Sequence, residues 1–302
     1  MGKSPGIFQT FHDLPGPARG ALWMSASALI YACIYFIIRR LTDTVPIMEL
    51  VFLRGIMGMI LSLPWVFRVG VAGLKTNRYG TYGLRIGFVY VGQLAWFYGL
   101  ANLPMSDATA LIFTLPLFSI VLAGLTLGEK VGIHQWGATA FGFIGAMIII
   151  RPGMIEFSLA SAAVLLTAFT YAVGQVTTKA LVRTEDSNAV VFYMFATMSA
   201  VALIPALYVW ETPAWPDLPW LLAFGLLSAP AQQCVTRSFA AAPANIVAPF
   251  NFLKLPFVAI IALIALSELP DPWTWAGAVV IFASTYYIGR RAARTGHRSG
   301  RG

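Results

Sequence analysis

The sequence predicts an all-α membrane protein of ten transmembrane helices, arranged as two inverted five-helix repeats around a central cavity. Three observations indicate this fold class: few charged residues, ten apolar runs of helical length, and a repeat that divides the chain into halves. Of the 302 residues, 58% are hydrophobic and only 11% are charged. Because soluble proteins carry roughly 25% charged residues, this chain is too apolar to cover itself with a polar surface in water.

Ten apolar runs, separated by charges or by proline and glycine, define the predicted spans. A transmembrane helix needs roughly 20 apolar residues, and every backbone polar group in lipid must be paired within the protein, so the runs are predicted to be helical. No length is left for a separate soluble domain. In chain order, runs 1 to 10 are 20–38, 47–67, 81–100, 107–128, 135–150, 159–181, 188–210, 219–239, 245–267 and 272–289.

The positions of lysine and arginine predict the orientation, because these residues are concentrated in cytoplasmic loops. With the N-terminus in the cytoplasm, 15 of the 20 basic residues, Arg85 among them, fall in inside segments, and 3 fall outside. The protein is therefore predicted to lie in a bacterial inner membrane with cytoplasmic tails, 1–19 and 290–302. The net charge of +8 is explained by this topology, and no nucleic-acid partner is predicted.

The chain matches itself at an offset of 140 residues, which predicts repeats at 20–151 and 159–289. Since each repeat has five spans, an odd number, the second repeat enters the membrane from the opposite side. Inverted repeats of this kind place a substrate site near the middle of the membrane in many transporters. The matches include Gln93 with Gln233, Leu115-Pro116 with Leu255-Pro256 and, after a one-residue deletion, Glu129 with Glu268.

The motif from Gly99 to Ala110, followed by Thr114-Leu-Pro and Leu127-Gly-Glu, resembles an EamA domain. The second half has the counterparts Leu255-Pro-Phe and Ser267-Glu, so the resemblance covers nearly the whole chain as two tandem copies. It implies the drug/metabolite transporter superfamily, in which ten helices surround a central cavity. Members carry amino acids, flavins, S-adenosylmethionine and other metabolites, so the resemblance does not select one substrate.

Tyrosines and amides within the runs are the predicted substrate-binding residues, because polar side chains in lipid tend to face a wet cavity or the bundle interior. They occur at spacings of three or four residues, or as repeat equivalents, and the alternative is that they only tie helices together. Trp96 is either a stacking surface or a packing residue. This group comprises Tyr31 and Tyr35 in run 1, Gln93 and Trp96 in run 3, Tyr171 and Gln175 in run 6, and Gln233 in run 8.

Lys254 is the most specific candidate, because it lies near mid-membrane in run 9 with Asn251 one turn earlier. No acidic residue lies at a comparable depth. An ammonium group there would bind an anion or lose its proton, and we predict that it binds a substrate carboxylate or phosphate. The alternative is a lysine whose stem extends to a water-filled vestibule.

Five further residues are predicted to be structural or gating groups. Arg54 also resembles an arginine of the family, and we expect it to contact Glu49 or a helix-end carbonyl. Prolines inside runs 4 and 9 would each remove a helical hydrogen bond and provide a kink or hinge. The five residues are Arg54, Pro116, Pro256, Glu129 and Glu268.

Together these features predict a secondary transporter of small organic solutes that works by alternating access. The solutes are expected to be aromatic or amino-acid-like, flavin-like or nucleoside-like. A membrane-embedded enzyme or lipid-handling protein is the alternative, but the sequence has no nucleotide-binding P-loop and no paired catalytic carboxylates. No cofactor or metal is predicted. The expected partners are the solute and the bilayer, with the chain as a monomer or a homodimer.

Overall fold

The computed structural model describes residues 14–126, 133–150, 158–242, 247–269 and 271–299. In those ranges every regular element is helical, and each of the ten predicted runs contains helix. Single-turn 3-10 elements cover Val71–Leu74 and Trp215–Asp217. The α-helices are α1 (Gly16–Leu41), α2 (Ile47–Val69), α3 (Tyr79–Asn102), α4 (Met105–Ile112), α5 (Leu115–Thr126), α6 (Ile133–Ile150), α7 (Leu159–Leu181), α8 (Ser187–Tyr208), α9 (Leu218–Ala241), α10 (Lys254–Ile261) and α11 (Pro272–Ser299).

Five helical segments in the described ranges are long and apolar enough to cross a membrane on their own. These are Gly16–Leu41, Ile47–Val69, Leu159–Thr178, Ser187–Tyr208 and Trp215–Ala241. Shorter apolar helices lie in runs 4, 5, 9 and 10. The chain is thus an all-helical, multi-pass membrane protein.

Runs 4 and 9 are each interrupted, and the interruptions lie at matching positions of the two repeats. Run 4 forms two helices, α4 and α5, with Phe113 and Thr114 between them. In its described part, run 9 contains the 3-10 segment Ala248–Leu253, is α-helical from Lys254, and ends in the π-helical turn Ala262–Leu266. Thr114 and Lys254 are exactly 140 positions apart in the sequence, so both breaks follow the repeat.

Pro116 and Pro256, predicted to kink runs 4 and 9 or to act as hinges there, lie beside these interruptions. Pro116 is the second residue of α5 and Pro256 is the third residue of α10. Proline has no backbone N–H to donate to the turn before it, and it is tolerated in the first turn of a helix. Both prolines therefore lie where a new helix starts.

The helices of the two halves pack in a pattern that stays the same when the halves are exchanged. α2 packs along α8, and α6 packs along α11, so each of these pairs joins equivalent helices. The pairing of α3 with α7 has its counterpart in the pairing of α9 with α1. Glycines permit the closest crossings: a Cβ on Gly55 in α2 would lie 2.8 Å from the backbone nitrogen of Ser199 in α8.

The apolar core draws on both halves. The ring centroids of Phe97 and Phe224 are 6.0 Å apart, and those of Phe113 and Phe252 are 4.4 Å apart. Helix also extends into both predicted tails, since α1 begins at Gly16 and α11 continues to Ser299. Glu129 lies outside the described residues.

Candidate functional site

A cavity of about 140 Å³ lies between the two halves. Its walls come from α1 to α5 and from α7 to α10, including the segment before α10. Eight of the nine predicted substrate-binding residues line it: Tyr31, Tyr35, Gln93, Trp96, Tyr171, Gln175, Asn251 and Lys254.

Lys254 lies against two tyrosine rings of α1. Its Nζ is 4.9 Å from the ring centroid of Tyr31 and 5.6 Å from that of Tyr35, within the range of cation–π attraction. The same Nζ is 3.4 Å from the Tyr35 hydroxyl oxygen, a long hydrogen bond. Tyr35 packs edge-on against Trp96 with 4.7 Å between centroids. The cation is thus held by aromatic faces, and its ammonium group keeps hydrogen-bonding capacity for a solute.

Arg54 reaches the cavity from α2 and donates a hydrogen bond to the side-chain oxygen of Gln93 on α3. The hydroxyl of Tyr171 on α7 donates to the same oxygen at 3.1 Å. Arg54 therefore pairs with an amide rather than with Glu49, whose carboxylate instead accepts from the backbone nitrogen of Glu211 at 3.2 Å. The Nε2 group of Gln93 and the Nε group of Arg54 are buried without a hydrogen-bond partner.

Arg85 lines the same cavity, although the sequence analysis places it among the cytoplasmic basic residues. It lies in the second turn of α3 and is only 4% exposed. Without it the inside segments keep 14 basic residues (15 less 1). The sequence did contain a signal for a buried position, because Arg85 falls inside the apolar run 3.

Gln233 is the predicted site residue that does not line the cavity. Its Nε2 group donates to the side-chain oxygen of Asn188 on α8. The neighbouring Gln232 lines the cavity instead and accepts from the Tyr31 hydroxyl at 3.1 Å. Successive residues on an α-helix point about 100° apart, so an alignment that is one residue out selects the wrong glutamine.

Polar contacts join the two halves at one end of the bundle, where α1 and α3 end. Glu268, which follows the π-helical turn, accepts from the backbone nitrogen of Met105 at 3.0 Å. Its other oxygen is 3.9 Å from Nη2 of Arg39. Arg39 also donates to the carbonyl oxygens of Leu100, at 2.8 Å, and Ala101. One acidic side chain thus holds together the ends of runs 1 and 9 and the start of run 4.

Comparison with known proteins agrees with this architecture. A riboflavin transporter of Vibrio cholerae serotype O1 is 31% identical over 278 residues, covering 90% of this chain and 93% of its own. An S-adenosylmethionine uptake transporter of Rickettsia felis is 32% identical over 240 residues, covering 80% and 82%. A chain of known crystal structure has the same fold, with a TM-score of 0.66 at 15% identity over 92% of this chain and 98% of that one.

The EamA-like transporter family matches the chain twice, at residues 18–151 and 158–290. The two matches fall on the two halves whose helices form the cavity, and they confirm the resemblance drawn from the sequence motifs. This chain belongs to the EamA-like transporter family.

Proposed function

We propose that the chain is a secondary transporter that carries a small organic metabolite across the inner membrane by alternating access. In this proposal ten spans form two inverted five-helix repeats, 20–151 and 159–289, and both termini are cytoplasmic. The single observation that carries the proposal is the cavity between the halves, whose walls combine aromatic, amide and cationic side chains. Such a lining is suited to binding a solute and unsuited to contact with acyl chains.

The contacts at the Glu268 end support the inverted arrangement. Runs 4 and 9 are repeat equivalents, yet Met105 at the start of run 4 meets Glu268 at the end of run 9. Equivalent spans that run in opposite directions would meet in this way. The exchange symmetry of the helix pairing, with α2 beside α8 and α6 beside α11, is also what an internal two-fold relation would produce.

The proposed solute has an aromatic or conjugated part and an anionic group. Tyr31, Tyr35 and Trp96 offer rings for stacking, and Lys254 offers a cation for a carboxylate or phosphate. Aromatic amino acids and the phosphorylated forms of flavins and nucleosides have this chemistry. The names of the riboflavin and S-adenosylmethionine transporters support a small metabolite of this general size.

Opening and closing would use the interrupted spans and the polar contacts between the halves. The breaks before Pro116 and Pro256 divide runs 4 and 9 beside the cavity, where a change in backbone angle would move one part of a span. Glu268 would fasten one end of the cavity, and its repeat equivalent Glu129 is proposed to act at the other.

The experiment is counterflow in liposomes. Purified protein is reconstituted, loaded with each of a panel of aromatic amino acids, flavins and nucleosides, and assayed for exchange with the labelled solute. We expect exchange of at least one solute, with flux through Lys254→Met reduced about tenfold or more, since a hydrogen bond to a charged group contributes about 1.5–3 kcal/mol.

Arg78→Gln is the matched control, because Arg78 is an exposed basic residue before α3. Its flux should equal that of the unmodified protein. If folded, reconstituted protein exchanges no solute of the panel, transport is refuted. If flux occurs and Lys254→Met leaves binding and flux intact, the cavity is not the site.

A further inference from the structure

The cavity carries an excess of positive charge. Arg54, Arg85 and Lys254 all line it, and they are 8%, 4% and 8% exposed. Within the described ranges no aspartate or glutamate lines the cavity. Among the described residues, the ion pair within 4 Å joins Arg39 to Glu268, and neither residue lines the cavity. Burying several cations without a counter-ion is strongly unfavourable, so a bound anion would offset the repulsion among them.

Arg85 makes weak hydrogen bonds to the protein. Its Nη1 group donates to the carbonyl oxygen of Val190 at 3.4 Å, and its Nη2 group to the sulfur of Met194 at 3.5 Å. Both contacts are long, and thioether sulfur is a weak acceptor. Its buried Nε group has no hydrogen-bond partner. A guanidinium presents its donors as a planar fork that fits a carboxylate or a phosphate, and this one has most of that capacity unused.

Arg85 and Lys254 lie at different depths of the cavity. Lys254 contacts Tyr35, which packs on Trp96. Eleven residues separate Trp96 from Arg85 on α3, a distance of about 16 Å along the helix axis. The Arg54–Gln93 pair lies between these two levels. The two cations are therefore anchored at different levels of the cavity wall, and an anionic group is assigned to each.

We propose that the solute is an organic dianion whose aromatic or conjugated body separates two anionic groups, one bound by Lys254 and the other by Arg85. The proposal rests on the transport function above and narrows its substrate class. It assigns Arg85 as a second anion-binding residue and favours carboxylate or phosphate groups at both ends of the solute. A neutral flavin or a sulfonium cation would leave the charge of the cavity uncompensated.

Two matched ligand pairs test the charge requirement on the unmodified protein. Biphenyl-4,4′-dicarboxylate is compared with biphenyl-4-carboxylate, and biphenyl-4,4′-diyl bisphosphate with biphenyl-4-yl phosphate, by titration calorimetry of the purified transporter. We expect the more highly charged member of at least one pair to bind about tenfold or more tightly than its partner. Tighter binding in the first pair alone identifies carboxylate as the recognised group, and in the second pair alone phosphate.

Variants of Arg85 test where the second anionic group binds. Arg85→Gln should weaken binding of the preferred dianion about tenfold and change that of the less charged partner less than about twofold. Arg85→Lys should recover part of the loss, because the charge remains. Arg78→Gln, on the exposed turn before the same helix, should change neither. A purely structural role for Arg85 would weaken both members of a pair equally, and that result would overturn the assignment.

The outcomes separate this inference from the proposed function. If a neutral or singly charged solute is exchanged in liposomes and binds as tightly as every dianion offered, the dianion proposal is wrong while transport stands. If no solute of either series binds or is exchanged, the transport function itself fails and the inference falls with it. The ligand comparison on unmodified protein shows whether a second anionic group strengthens binding, even where Arg85→Gln does not fold.

Discussion

Arg54 on α2 and Gln93 on α3 form a buried hydrogen bond in the cavity wall, with the guanidinium donating to the amide oxygen. Tyr171 donates to the same oxygen at 3.1 Å. Three helices thus meet at one acceptor, and the oxygen of Gln93 has its hydrogen-bonding capacity filled. The Nε2 group of that amide is buried without a hydrogen-bond partner.

Substitutions of Gln93 separate its contribution to protein stability from its contribution to solute binding. Gln93→Glu keeps both hydrogen bonds and adds an ion pair with Arg54, so the thermal stability should be retained. It also places a negative charge in the site, and the affinity for an anionic solute should fall about tenfold or more. Equilibrium binding and thermal unfolding of purified protein measure the two effects.

Gln93→Met serves as the contrasting variant. It leaves Arg54 as a buried cation without its acceptor, and loss of a partner from a buried charge costs about 3–5 kcal/mol. We expect a clear fall in the unfolding temperature. Unchanged anion affinity in Gln93→Glu would contradict the location of the site beside Gln93.

The structure and the repeat alignment assign different glutamines of α9 to the cavity. Gln232 lines the cavity and accepts from Tyr31 at 3.1 Å, whereas Gln233 bonds to Asn188 on α8. Gln232→Leu should therefore weaken solute binding by roughly three- to tenfold, the effect of about 0.5–1.5 kcal/mol for one hydrogen bond. Gln233→Leu should leave binding within about twofold. Equilibrium binding of the same solute measures both, and the reverse order would support the sequence assignment.

Periodicity and charge predicted most of the candidate site. Tyr31 and Tyr35, four residues apart, lie on one face of a helix wherever its ends are set, and the same holds for Tyr171 and Gln175. Lys254 was identified because a charge within an apolar run requires an explanation. These inferences do not depend on which helices become neighbours.

The features that the sequence did not predict depend on tertiary contacts or on single-residue registers. Arg85 is the fifth residue of run 3, where an arginine is compatible with a helix interior or with a cytoplasmic loop, and the packing of α3 against α8 shows that it faces inward. Pro116 predicts a kink or hinge in run 4, but proline is compatible with both a helix interior and a first turn, so the position of the break cannot be predicted. The apolar run continues across Phe113 and Thr114, so hydropathy has no minimum there.

Close packing of α2 on α8 predicts sensitivity at Gly55. A Cβ at this position would lie 2.8 Å from the backbone nitrogen of Ser199 and 2.9 Å from its Cα. Because backbone atoms cannot rotate away as a side chain can, Gly55→Ala should destabilise the protein by about 1–3 kcal/mol, typical of overpacking. Thermal unfolding in detergent measures the change.

Gly80→Ala is the matched control for that substitution. Gly80 is also helical, and nothing lies within 4 Å of a Cβ built on it. Alanine favours helix over glycine by about 1 kcal/mol, so this variant should be no less stable than the parent. Equal losses at the two positions would show that the α2–α8 crossing is not as close as described.

Glu268 offers a test of the contacts that join the two halves at one end of the bundle. Glu268→Ala removes the carboxylate that accepts from Met105 at 3.0 Å and pairs with Arg39 at 3.9 Å. The ion pair alone is partly exposed and contributes little, but the hydrogen bond to a charged acceptor contributes about 1.5–3 kcal/mol. We therefore expect the halves to separate more often at this end, with only a small loss of thermal stability.

Cysteine labelling measures that separation. Ile38 lines the cavity, is 1% exposed and adjoins Arg39 in the sequence, so Ile38→Cys reports access from this end once Cys33 and Cys234 are replaced. Glu268→Ala should raise the rate of labelling by a hydrophilic maleimide about tenfold, the equivalent of 1.4 kcal/mol. Asp43→Ala, in the exposed loop after α1, should leave the rate unchanged. Equal rates in the two variants would mean that Glu268 does not control access, and that apolar packing at the ends of α1 and α3 closes the cavity.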